Sequence, residues 1–250
     1  MASPSAQRQL SIDEQIKDDF AIYWEAAQKD RLDEPEAHRV VIASANKYAV
    51  CFSYFSRAMT VPQLGLEPHQ RVFFQELTSD AVHLVHALIG GDARGGRFYL
   101  RSIVENFWRH HYFRDHVVEY GWLHTRDKYH LEMKQLKEHC SWLDCFQGDL
   151  KPLLTNLPHL YSVLSNAVHS TSSRTLVLRQ SLGDIRLVKE HIQDIHKDVL
   201  DTLKVCLALC IYSEKSIFGG FKLEVQQYLL DSLSADQRAI IKSALEKDEG

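Results

Sequence analysis

No stretch of this chain stays apolar for more than eight consecutive residues, at 205–212, whereas a helix that crosses a bilayer needs about 20. An integral membrane protein is therefore not expected. Cationic excess is missing as well: 29 Lys and Arg stand against 33 Asp and Glu, for a formal net charge of -4. No global basic field gathers nucleic acid, so any contact with it has to be local. Cysteine is sparse, and five at irregular spacing make a poor disulfide framework. Cys206 and Cys210 share an apolar stripe with Leu203, Leu207 and Ile211, where a free thiol packs as a small hydrophobe. His139, Cys140 and Cys145 offer three zinc donors, but neither tight Cys-x2-Cys or His-x3-His pairing nor a fourth ligand accompanies them. No metal and no cofactor is expected. The first residues lack a charged-then-apolar leader pattern and acquire Asp13 and Glu14, which points to a cytoplasmic protein.

Strand alternation is also nearly missing; only 175–178 has such character, too short and isolated to define a sheet. Helical periodicity fills most of the rest. Ser11 and Glu14 form a capping-box pattern that opens a helix over 11–24. Apolar residues at intervals of three and four then predict helices over 36–59, 69–89 and 96–120, the last ending at Gly121. A short helix is expected near 130–140. Asn156 reads as a cap and Pro158 as the first turn of a helix reaching Val168. A long helix over 184–218 and a pair at 222–233 and 235–247 follow, the last opened by Ser234 and Gln237. The expected fold is an all-α bundle of about six to eight helices, with 1–218 as the bundle. Residues 219–250 read as a helical hairpin packed on the bundle or on a partner.

Arg101 and Glu105 carry the main functional signal. At 100° per residue they lie about 40° apart, on an arc shared with Phe98, Val104, Trp108 and Tyr112. Charges set among aromatics lose several kcal/mol of hydration unless paired, so they need an internal network or a ligand. Upstream, Arg94, Gly95, Gly96 and Arg97 lead from a glycine-rich turn into the same helix. Backbone N–H groups, a helix N-terminus and arginines could together hold a phosphate. The strand and the Lys-Ser/Thr signature of a nucleotide loop are missing, and a flexible turn with a solvated arginine edge is the plain alternative. Tyr161, Ser165 and His169 recur every fourth residue as a polar stripe. Ser165 lacks the strained elbow of a hydrolase nucleophile. His169 is expected to meet Glu105, which would orient its imidazole, or else to face solvent from the helix end. Glu190, His191, Asp194 and Asp198 have the wrong register for a di-iron bundle.

The pattern Arg101-Ser102-x-x-Glu105, followed some 60 residues later by Leu164-Ser165-x-x-Val168-His169, resembles helical bacterial proteins associated with phage defence. Those in turn resemble the HEPN superfamily of nucleotide-binding and RNA-cleaving helical proteins. The resemblance covers about 73–169 in detail. It implies a metal-independent endoribonuclease or toxin acting on RNA, working as a homo-oligomer or with a protein partner from a defence system. The family's Arg and His are separated by four to six intervening residues, a spacing met here by Arg109 and His116, Arg186 and His191, and Arg31 and His38. Composition alone supplies roughly two or three such pairs, so spacing does not choose among them. Arg109 and His116, with a polar residue after the arginine, join Arg101, Glu105 and His169 as candidate catalytic residues. A non-catalytic module that binds a nucleotide or a protein is the alternative.

Overall fold

The computed structural model describes residues 35–169, 184, 185, 187 and 189–248. The expected helix at 11–24 and strand at 175–178 lie outside the described residues, as do Arg31 and Arg186. Among those described, every extended element is helical: α1 Pro35–Met59, α2 Pro68–Ile89, α3 Ala93–Asp115, α4 Val117–Thr125 and α5 Met133–Trp142, then α6 Lys151–His169, α7 Lys189–Ser213, α8 Lys215–Gly219, α9 Leu223–Asp231 and α10 Ala235–Asp248. No helix among the described residues is long and apolar enough to cross a membrane.

Three boundaries differ from the periodic reading. The helix expected over 96–120 breaks at His116, whose backbone leaves helical space at φ −116° and ψ 63°, and Gly121 lies inside α4. The helix expected over 184–218 breaks at Glu214, where a buried carboxylate is drawn to partners on α3. Pro158 does not open a helix but lies inside α6, which starts at Lys151. A proline there gives up its N–H bond to the carbonyl four residues earlier, and its ring crowds that carbonyl. The Ser234 and Gln237 capping box is present, each side chain meeting the other's backbone N–H at 3.2–3.3 Å.

Helices α2 and α3 form an antiparallel hairpin that α1, α6 and α7 enclose. Gly91 takes φ 75° in the connecting turn, a left-handed conformation that favours glycine. Gly96 lies at the crossing, where an added Cβ would stand 3.2 Å from Leu88 Cδ2. The core runs through Phe52, Phe55, Phe74, Phe107, Leu203 and Leu207, all buried, and each such side chain contributes roughly 1.5–3 kcal/mol. Leu229 and Ile241 of the last two helices, and Leu233 in the turn between them, join that core. Tyr48 Oη on α1 donates to the Ser232 carbonyl at 2.8 Å, fastening the terminal pair to the bundle.

Candidate functional site

Helix α3 begins at Asp92, whose Oδ1 accepts from Gly95 N–H at 2.9 Å. The carboxylate satisfies one of the unpaired donors of the first turn. Gly95 has its own reason to lack a side chain: a Cβ would fall 2.3 Å from Asp92 Oδ2. The negative charge expected at this turn is thus already supplied by the chain. The two arginines beside it also have internal acceptors. Arg94 donates to the Val168 carbonyl through Nε at 3.1 Å and Nη2 at 2.6 Å, where a cation complements the end of α6. Arg97 Nε donates to Asp198 Oδ2 at 2.7 Å.

Two turns further on, α3 meets α6 in antiparallel register, and the polar stripe of α6 comes down on the charge pair. Arg101 Nη2 lies 2.9 Å from Glu105 Oε1. The Tyr161 hydroxyl accepts from Arg101 Nε and Nη2 at 3.2 and 3.1 Å and donates to Glu105 Oε1 at 2.9 Å. His169 Nε2 stands 2.9 Å from Arg101 Nη1. A guanidinium has only donors, so Nε2 is the acceptor in this contact and the imidazole carries its proton on Nδ1.

The imidazole therefore reaches the cluster through arginine and not through Glu105. The register explains the difference: Tyr161, two turns earlier on α6, is the side chain brought against Glu105, while His169 falls toward the start of α3. Ser165 lies between them, half-buried, and outside these hydrogen bonds. Phe98, expected on the same arc, is 49% exposed.

Arg109 approaches from the next turn, with Nη2 3.6 Å from Glu105 Oε2 and Nη1 donating to Asn106 Oδ1 at 3.3 Å. Asn106 in turn donates to the buried Asp80 at 2.8 Å. Sequence reasoning missed Lys137 of α5, whose ammonium lies 5.0 Å from the Trp108 ring centre and 4.7 Å from that of Tyr161. Burial lowers the Lys137 pKa, with the charge of Glu105 opposing. Burial likewise raises the Tyr161 phenol, and Glu105 adds to the rise. Burial works against the Arg101 charge, but Tyr161 and Glu105 outweigh it, leaving that pKa above its ordinary value. No sequence motif marks Lys137, because its place depends on how α5 packs across Trp108.

His116 and Tyr112 do not join this cluster. Their rings stack at 4.0 Å, and the His139 ring stands edge-on to that of His116 at 4.8 Å. His116 Nδ1 is 2.8 Å from the Tyr112 carbonyl. Burial drives the Cys145 thiol up to about 11 and raises that of Cys140; neither joins His139 in a set of converging donors among the described residues. The side chains that do converge are His110, His111 and Glu214, on the opposite face of α3.

The chain matches no family model, no curated protein and no solved structure.

Proposed function

We propose that the cleft between α3, α5 and α6 binds the phosphodiester backbone of RNA, and that the chain is an HEPN-like helical effector of bacterial phage defence. One observation carries the binding: Arg101, Arg109 and Lys137 gather around a single carboxylate, Glu105. A half-buried site with two more cations than anions attracts a phosphate. The setting in defence rests on the resemblance of the 101–105 and 164–169 patterns.

The same contacts support a route to cleavage without metal. A phosphate that draws Arg101 toward itself releases His169 Nε2, whose lone pair takes the proton of a ribose 2′-hydroxyl. The O2′–P bond forms, the P–O5′ bond breaks, and Lys137, its proton loosened by burial, returns one to the leaving oxygen. Arg101 offsets the charge that develops on phosphorus oxygens. The products are a 2′,3′-cyclic phosphate and a 5′-hydroxyl.

One observation favours a second reading: every nitrogen of Arg101 is already engaged within the chain. A fixed Arg101 would leave Arg109 and Lys137 to hold phosphate with no turnover. Incubation of the purified protein with labelled RNA, with and without chelator, separates the two. Chelator-resistant cleavage lost in Arg101→Ala and His169→Ala, with unchanged circular dichroism, supports the nuclease. Retention of RNA with no cleavage, weakened about tenfold in Arg109→Ala and with a shallower salt dependence in Lys137→Ala, supports the binding module. Absence of both overturns the assignment to RNA.

A further inference from the structure

His110 and His111 are 1% and 3% exposed on α3, and Glu214, 4% exposed, meets them from the break between α7 and α8. Donor atoms of the three side chains lie within 4.8 Å of one another. Only part of their hydrogen-bonding capacity is used. His110 Nε2 stands 3.0 Å from Glu214 Oε1, but His110 Nδ1 and His111 Nε2 are sealed from water and have no partner. Buried polar atoms in folded proteins nearly always have one. The unpaired His111 Nε2, beside His110 Nε2 and the Glu214 carboxylate, is what a metal ion held by the three would satisfy.

We propose that His110, His111 and Glu214 bind one divalent transition-metal ion of the zinc type. Two imidazoles and a carboxylate suit zinc, cobalt(II) or iron(II), whereas magnesium and calcium take mainly oxygen ligands. Ligand atoms in a tetrahedral zinc shell stand about 3.4 Å apart. The His110 to Glu214 separation of 3.0 Å is close to that already, and the remaining pairs lie within 4.8 Å. A shift of side-chain torsions closes the difference.

Arg114 stands where the metal would bind. Its Nη1 lies 2.5 Å from Glu214 Oε1, the oxygen that also faces His110, and its side chain is 36% exposed. Arriving metal would release this arm to solvent, with a dication taking the position of the guanidinium. The site lies across α3 from the RNA cleft, so its role is to fasten α3 to the α7–α8 break, independent of any reaction there.

The test uses the tag-free full-length chain, dialysed against chelator and titrated with cobalt(II), with zinc as competitor. Visible d–d bands saturating at one ion per chain and erased by zinc are expected, together with a zinc-dependent rise in Tm. Glu214→Gln keeps the shape of the side chain and weakens binding at least roughly a hundredfold. Arg114→Gln removes the competitor and tightens binding about tenfold. His139→Ala, outside the three, leaves the titration unchanged. A featureless titration, equal uptake by Glu214→Gln, or no gain in Arg114→Gln would overturn the site. Since Arg114→Gln is a gain-of-affinity test, a folding failure in Glu214→Gln cannot decide the result.

Discussion

Helix α3 carries polar groups on two opposite faces, and they are satisfied in opposite ways. At 100° per residue His110 lies about 180° round from Arg101. On the Arg101 face, the cleft open to solvent binds all three guanidinium nitrogens of Arg101 and both oxygens of Glu105 to protein partners. On the His110 face, sealed from water, two ring nitrogens have no partner. Water can replace a lost partner in the cleft but cannot reach the interior, so burial alone would have put the better-satisfied set inside. The difference teaches that satisfaction within the chain does not by itself mark a functional site. The cleft is set apart by its surplus of cations, the buried face by its unused acceptors.

The largest test of that contrast is stability on the two faces, measured in metal-free protein by urea denaturation. Glu214→Ala strands His110 and removes the partner of Arg114, and is expected to destabilise by about 3 kcal/mol. Arg101→Ala releases Tyr161, His169 and Glu105 to water, and is expected to cost about 1 kcal/mol. Equal losses would mean that the cleft is as much a structural strut as the interior.

Two buried carboxylates sharpen the comparison through pH. Glu214 has cationic Arg114 against it, whereas Asp80 has the neutral groups of Asn106 and Ser102 as its hydrogen-bond partners, and burial raises its pKa above the ordinary 3.8. An acid with a raised folded-state pKa holds its proton more firmly when folded. Its contribution is greatest below 3.8 and declines as pH rises through the folded value. Asp80→Asn removes that decline while keeping an acceptor for Asn106. The variant is expected to gain on wild type as pH climbs from 3.5 to 7, read from the midpoints of urea curves. A difference that does not change with pH would show that Asp80 carries no such penalty.

These contrasts were partly legible in the sequence. Local rules read the helices well: intervals of three and four located α1 and α2, and the Ser234 and Gln237 box marked the start of α10. The breaks at His116 and Glu214 were not legible, because the partners that draw Glu214 inward, His110 and Arg114, lie about a hundred residues away. The same limit applies to the site. Arg101 and Glu105 could be paired because one helix fixes their separation, and the every-fourth spacing on α6 placed Tyr161 and His169 on one stripe. Which member of that stripe meets which charge depends on the α3–α6 register, and Lys137 enters only through the packing of α5. His110 and His111 stood among a group of histidines that composition could not sort into surface and interior.

Tyr161→Phe probes the smallest expected effect and the hinge of the cleft. Its hydroxyl touches both Arg101 and Glu105, yet the direct pairing of those two at 2.9 Å does not pass through it. Loss of the hydroxyl leaves the ring against Trp108 and lets water take its place, so the stability change is expected to stay near 0.5–1 kcal/mol. The consequence for Arg101 is larger in kind. With Nε and one bond of Nη2 released, the guanidinium turns more easily toward an incoming phosphate, and RNA affinity holds or rises severalfold in a filter-binding titration. A tenfold loss would instead mean that the hydroxyl fixes the binding geometry, and Arg101 would be reassigned from a movable phosphate ligand to a rigid support for Glu105.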